Sequence, residues 1–382
     1  MTEYTGRVVT SRGEIPHARI TVTEGVITAV EELAGPAPDD LTWVPGFVDI
    51  HNHGGMRGSF PTSTAEECRI AAAFHRSRGT TTLIASLVSA TEESMLHQVP
   101  VLAELCEDGD LAGIHLEGPF VNACRCGAQD PAAIIPGDPG MLDRVARAGG
   151  GHVRQITFAP ETAHALELLD VCATHNIIAS LGHTDASYEE TLSLIDAARE
   201  RGVTVTATHL FNAMPPLHHR APGAAAALIS AAARGDAWVE LIADGVHLAD
   251  GTVDMVMEAV GDGALFVTDA MQAAGMPDGD YDLGTLDVVV ADGVARLATT
   301  DGSQGAIAGG TSTIADQFAR HLRRGVPWTT LVAATSTTPA AVLGVGDHIG
   351  DIAPGYRADL VALDSQGAVH DIIHRGITIE RS

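Results

Sequence analysis

The chain has 382 residues, 45% hydrophobic and 19% charged, which is enough to bury a large interior and too apolar for a disordered polymer. Asp and Glu number 49 against 22 Lys plus Arg, and the resulting net charge of −27 repels nucleic acid and anionic lipid. There is no lysine at all, which excludes Schiff-base chemistry, a P-loop and a carbamylated-lysine metal bridge.

The residues from Met1 to Arg7 lack the basic and apolar regions of a signal peptide, and no apolar run reaches the roughly 18–20 residues needed to span a bilayer. Five cysteines, an odd number without a paired framework, suit a reduced cytosolic protein with no membrane partner. Cys124 and Cys126 form a C-x-C with no second pair after it, so they read as thiols of a mobile loop rather than a metal clip.

The first forty-odd residues alternate in short runs, 6–10, 20–22 and 26–30, which predicts small antiparallel strands ending in a Gly/Pro/Asp turn cluster at 34–40. Similar pieces recur at 358–363, 369–373 and 377–379. The two ends are therefore expected to join, residues 1–46 with 346–382, as one small β-sandwich domain.

Between them, from 47 to 345, apolar runs alternate with helix-like segments rich in Ala, Glu, Arg and Leu. The runs are 48–50, 82–88, 112–116, 153–158, 177–181, 203–208, 238–243 and 265–268. Eight such units predict an α/β fold, a (β/α)8 TIM barrel. A doubly wound sheet is the runner-up, but no Gly-x-Gly-x-x-Gly follows an early strand. Residues 224–233 read as a buried Ala-rich helix, and 286–298 as a hairpin insertion turning on Asp292-Gly293 in type I′ geometry.

Position is the informative fact. His51 and His53 end the first run, Glu117 the third, His183 the fifth, His209 the sixth and Asp269 the eighth. In a barrel every strand's C-terminal end faces one mouth, so these side chains should converge there. Residues two apart on a strand share a face, so both imidazoles of His51-x-His53 can address one cation. Histidine with carboxylate suits a divalent metal such as Zn²⁺, at about 2.0–2.2 Å with one position left open for water. His115, two residues before Glu117, reads as core or as a residue just behind the ligands, and His17, His75, His97, His152, His164, His175, His321, His348, His370 and His374 as ordinary structural histidines. Asp269 suits a general base, since an Asp near its usual pKa of about 3.9 is ionised at neutral pH.

Seven segments stand out nearly end to end: Val44 to Gly54, His115-Leu116-Glu117-Gly118-Pro119-Phe120, Leu181 to Ala186, Thr208-His209-Leu210-Phe211-Asn212-Ala213-Met214, Ala243 to His247, Val267 to Ala270 and Gly355 to Leu360. Taken together, they resemble the amidohydrolase superfamily, and within it the N-acetylglucosamine-6-phosphate deacetylases. The resemblance implies that Glu117, His183 and His209 hold the principal metal, with Glu117 where other members use carbamylated lysine. Some relatives replace the His-x-His pair and bind one ion; this chain keeps His51 and His53, so two ions per subunit are expected. It further implies hydrolysis of an N-acetyl amino-sugar phosphate by metal-activated hydroxide, with Asp269 as base and then acid. Asn212, the Ala213 backbone, Arg220 and His247 match residues that receive the sugar phosphate, some of them across a homodimer. One departure stands out: Gln129 occupies a place where many relatives have a histidine that donates to the acyl oxygen. An uncharged amide is a weaker donor, so Gln129→His is expected to raise turnover. Three other readings stay open: an N-acetylgalactosamine-6-phosphate deacetylase, a cyclic-amide hydrolase, and a non-catalytic metal-dependent sugar-phosphate binding protein.

Overall fold

The structure is a computed structural model and describes residues 1–37, 40–300 and 303–379. Pro38 and Asp39 of the expected turn cluster, and 380–382 of the C-terminal piece, lie outside the described residues.

The chain begins with β1 (Thr2–Thr10), β2 (Gly13–Thr23), β3 (Val26–Glu32) and β4 (Thr42–Pro45). It continues with β5 (Phe47–Asp49), the short pair β6 (Gly54–Gly55) and β7 (Gly58–Ser59), and α1 (Ala65–Arg76). There follow β8 (Thr80–Leu87), α2 (Glu92–Glu107), β9 (Gly113–Glu117), α3 (Pro139–Ala148), β10 (Val153–Phe158), α4 (Ala165–His175), β11 (Ile178–Leu181) and α5 (Tyr188–Glu200). Next come β12 (Val205–Ala207), α6 (Gly223–Ala232), β13 (Trp238–Leu241), α7 (Asp250–Val260) and β14 (Ala264–Phe266). An insertion, β15 (Gly279–Leu283), β16 (Leu286–Ala291) and β17 (Val294–Leu297), precedes α8 (Ile314–Arg323), and β18 (Leu360–Leu363), β19 (Val369–His374) and β20 (Ile377–Thr378) end the chain.

Strands from both termini share one seven-stranded sheet, ordered β20-β19-β18-β4-β1-β2-β3. In β2 the residues Ala18, Ile20 and Val22 are buried while their neighbours are more open, the period of two that a one-faced sheet requires. These residues pack with Val8, Ile27, Trp43, Leu360 and Ile373 as one apolar core.

The second sheet has eight strands in the order β14-β13-β12-β11-β10-β9-β8-β5, and every pair from β8 to β14 runs parallel. β8 is buried along its whole length, as expected of a parallel strand covered on both faces. A parallel bridge between Asn52 and Ala270 links the ends of this order, with the His53 N–H donating to the Ala270 carbonyl at 2.6 Å and the Asp269 N–H to the His51 carbonyl at 2.9 Å. This is the (β/α)8 barrel. The hairpin of β16 and β17 turns on Asp292 (φ 52°) and Gly293 (φ 74°), both left-handed as a type I′ turn demands. The α5 entry carries a reciprocal Ser187–Glu190 capping box.

By internal contacts the chain divides into two compact units, residues 1–49, 73–82 and 312–382, and residues 50–72 and 83–311. The seven-stranded sheet lies in the first. We propose that 1–46 with 346–382 form the small β domain and that 47–345 form the barrel. No described helix is long and apolar enough to cross a membrane.

Candidate active site

All residues singled out at strand ends belong to the second unit. His183, His209 and Asp269 follow β11, β12 and β14 with φ of 47°, 27° and 49°. Left-handed backbone is uncommon outside glycine, and its clustering here, just past three strands, is typical of a functional site. It bends the chain out of the sheet and leaves the side chains within reach of one another.

Glu117 is the centre. Its Oε1 lies 2.9 Å from Nε2 of both His183 and His209. Its Oε2 lies 3.2 Å from His53 Nε2 and 3.7 Å from His51 Nε2. Asp269 Oδ1 stands 3.1 Å from His53 Nε2 and 3.4 Å from His51 Nε2. These residues are buried: His51 is 0% exposed and Glu117 2%.

Two donor sets therefore share one carboxylate: His51, His53 and Glu117, and Glu117, His183 and His209. Their chemistry fits cations. His53 Nδ1 faces the Ser86 carbonyl at 3.1 Å and His183 Nδ1 the Arg125 carbonyl at 2.9 Å. A carbonyl only accepts, so both protons belong on Nδ1 and both Nε2 lone pairs point inward. Within each pair the two Nε2 atoms are 3.2 Å apart. With a lone pair on at least one side, each gap suits a proton or a cation between the two nitrogens.

The ionisation balance says the same. Burial disfavours charge on His53, but Asp269 and Glu117 outweigh it and raise its pKa to about 9. His51 is likewise raised, against burial, by Asp269 and Glu117. Burial would raise Asp269, yet His51 and His53 bring it to about 2, and Glu117 is lowered in the same way by His51, His183 and His209. The carboxylates thus draw positive charge into a dry site. His115, by contrast, is pushed well below its usual range by burial and by His51. Its ring nitrogens bind the Ser86 and Thr157 hydroxyls at 3.0 and 2.8 Å, the structural role expected of it.

A cavity of about 200 Å³ opens onto these groups. His53, Glu117, His183, His209 and Asp269 line it together with Gln129, Asn212, Ala213 and His247, and Leu283, Ala306, Ile307 and Ala308 add an apolar wall. Gln129 is held at both ends: its Oε1 accepts from the Ser89 N–H at 2.6 Å and its Nε2 donates to Glu117 Oε2 at 2.6 Å. His247 Nδ1 lies 2.8 Å from Asp244 Oδ2, whose pKa is lowered, against burial, by that histidine. Arg220 is exposed, sits 2.8 Å from His219 Nε2 and does not line the cavity. Cys124 and Cys126 are free thiols flanking Arg125, whose carbonyl orients His183.

Several contributors escaped sequence reasoning. Glu240, 0% exposed, reaches His51 Nδ1 at 3.1 Å. Its signal was a lone carboxylate in the apolar run Trp238-Val239-Glu240-Leu241. Ser86, Gln155 and Asp244 were also missed, as was the apolar wall, which comes from the insertion and the segment after it.

A curated N-acetylglucosamine-6-phosphate deacetylase of Bacillus subtilis (strain 168) is 35% identical, over 97% of this chain and 94% of that protein. An N-acetylgalactosamine-6-phosphate deacetylase of Escherichia coli O157:H7 is 31% identical over 97% of each. Among solved structures, a mutant N-acetyl-D-glucosamine-6-phosphate deacetylase from Mycobacterium smegmatis, in complex with N-acetyl-D-glucosamine-6-phosphate, superposes with a TM-score of 0.91 at 39% identity, covering 99% of this chain and 98% of that one. The sequence pattern of the amidohydrolase family matches residues 42–378, so the paired donor sets at the barrel mouth lie within the matched span, and the chain belongs to that family.

Proposed function

We propose that this chain is a metal-dependent amide hydrolase that removes the acetyl group of N-acetyl-D-glucosamine 6-phosphate, releasing glucosamine 6-phosphate and acetate. The observation that carries the reading is the Glu117 carboxylate shared between two histidine pairs, with Asp269 at 3.1 Å from one of them, in a chain similar nearly end to end to deacetylases of that substrate.

His51, His53, Glu117, His183 and His209 would hold the cations, which we take as two Zn²⁺ ions per subunit. A divalent ion in such a site supplies a water of pKa near about 7 and a Lewis acid for the acyl oxygen. Asp269, ionised and facing the cavity, accepts the proton of the attacking water and returns it to the departing amine, so one carboxylate serves both transfers. Gln129 holds Glu117 through one amide N–H, and its second N–H is the one available to the acyl oxygen. The apolar wall at Leu283 and Ile307 accepts the acetyl methyl, and Asn212, the Ala213 backbone and His247 hold the sugar phosphate, with Asp244 fixing the His247 ring. Arg220, exposed beyond the cavity of its own chain, suits a phosphate contact in the partner subunit of a homodimer. The setting is cytoplasmic amino-sugar metabolism.

The test is acetate release measured side by side on the 6-phosphates of N-acetylglucosamine and N-acetylgalactosamine. The galactosamine epimer is the second reading, favoured by the Escherichia coli relative. Chelation should abolish release and zinc restore it. Activity untouched by a chelator, or confined to the galactosamine epimer, would overturn the proposal.

A further inference from the structure

Beneath the two histidine pairs, on β13 and inside the barrel, lies the Glu240 carboxylate. The N–H donors around it account for both oxygens. Oε2 faces His51 Nδ1 at 3.1 Å and accepts the backbone N–H of His209 at 3.1 Å. Oε1 accepts from Gln155 Nε2 at 2.8 Å, and the Ser180 and Thr206 hydroxyls stand at 3.5 Å. A fully buried carboxylate surrounded by donors is stable only as a fixed acceptor, and a ring nitrogen facing it must carry the proton. One oxygen therefore touches both pairs, the ring of a residue in one and the main chain of a residue in the other.

We infer that Glu240 is a positioning residue that holds the His51 proton on Nδ1, turns His51 Nε2 inward as a cation ligand, and strengthens that ligand through a carboxylate–histidine contact. The inference rests on the metal reading above and deepens it. The four histidines differ in what stands behind them. His53 and His183 have backbone carbonyls at Nδ1, whereas the buried His209 Nδ1 has no hydrogen-bond partner among the described residues. His51 has the carboxylate, which makes its Nε2 the most electron-rich of the set. The contribution of Glu240 should then fall on the His51–His53 site far more than on the Glu117–His183–His209 site, where it supports only the His209 backbone.

Glu240→Gln tests this with little disturbance of shape. The new amide oxygen can take over the His51 and His209 contacts, and the new NH₂ can face Gln155 if that amide turns over, bringing its otherwise unpartnered Oε1 into use. What disappears is the charge. The experiment titrates metal-stripped full-length protein with Zn²⁺ against a competing chelator, with wild type and Glu240→Gln in parallel. The expected result is a loss of about 10–100-fold in affinity at one of two sites, with the other nearly unchanged. Equal affinities in the two proteins, or equal losses at both sites, would overturn the inference, the second because it marks a merely structural role.

Should Glu240→Gln fail to fold, ¹⁵N NMR of the zinc-loaded wild type decides. A slowly exchanging Nδ1 proton, assigned to His51 by its disappearance in His51→Asn, is expected; a proton on Nε2 refutes the claim. A wild type that binds only one ion overturns the two-ion site as well. Acetate release from the amino-sugar phosphate separates the two ideas, since protein that binds zinc as described yet releases no acetate sinks the proposed reaction and leaves the role of Glu240 standing.

Discussion

Asp269 and Gln129 are both small polar side chains facing the same cavity, yet their surroundings give them opposite work. Asp269 has histidine nitrogens on one side and the cavity on the other, and His51 and His53 keep it ionised. Asp269→Asn keeps the shape but removes the proton acceptor. Turnover should fall by about 10²–10⁴-fold, while elemental analysis finds the zinc content intact; retained turnover would remove Asp269 from the reaction. Gln129 is different because Ser89 takes its amide oxygen and Glu117 one of its two amide N–H groups, which leaves one N–H spare. A neutral imidazole has one donor and one acceptor, so a histidine there can keep both contacts only by having no N–H left for a substrate. The sequence suggests that Gln129→His speeds the reaction, whereas the geometry reverses the sign. Steady-state kinetics should show kcat lowered, by up to about 10²–10³-fold if the spare N–H meets the oxyanion.

At the level of elements, the barrel was legible because its signals are local: short apolar runs, each followed by a helical stretch, with reactive residues at their ends. The eight expected runs correspond to β5 and β8 through β14, and the Asp292-Gly293 turn is where its two left-handed residues require it. Glu240 and the Thr157–Thr208–Ser180 hydroxyl chain of the barrel interior were not legible, because they act across strands that only the closed sheet brings together. Arg220 illustrates the same limit, since a motif match places a residue in sequence and says nothing of which chain's cavity it faces. The close fit of β11 and β12 leads to a prediction. A Cβ at Gly182 would stand 2.6 Å from the Thr208 Cβ, which no flexible side-chain end can relieve. Gly182→Ala should therefore lower stability by about 1–3 kcal/mol in urea unfolding, and it should weaken zinc binding by shifting the adjacent His183. Gly293→Ala makes a useful contrast: its φ is 74°, but nothing lies within 4 Å of the added carbon. The loss there should be the left-handed backbone cost alone, about 1–2 kcal/mol, with kinetics unchanged.

On the scale of the whole molecule, the puzzle is a net charge of −27 on a protein proposed to bind a phosphorylated sugar. Inside the cavity the problem is local, since a cation held by the proposed donor sets would oppose the nearby carboxylates at contact distance. Outside it, the surface field acts over the Debye length, about 30 Å at 0.01 M salt and about 8 Å at 0.15 M. An approaching phosphate dianion therefore meets repulsion from much of the surface at low salt and from almost none of it at physiological salt. Raising the ionic strength over that interval should increase kcat/KM for the 6-phosphate while leaving kcat nearly constant, because salt changes encounter rather than chemistry. The same amide on an unphosphorylated sugar should show no such rise. A fall in kcat/KM with salt would mean that a positive cluster, with Arg220 as its natural member, dominates the approach path despite the overall charge. In that case Arg220→Ala should abolish the salt dependence, and mixing that variant with Asp269→Asn subunits should restore activity if Arg220 serves a neighbouring chain's cavity.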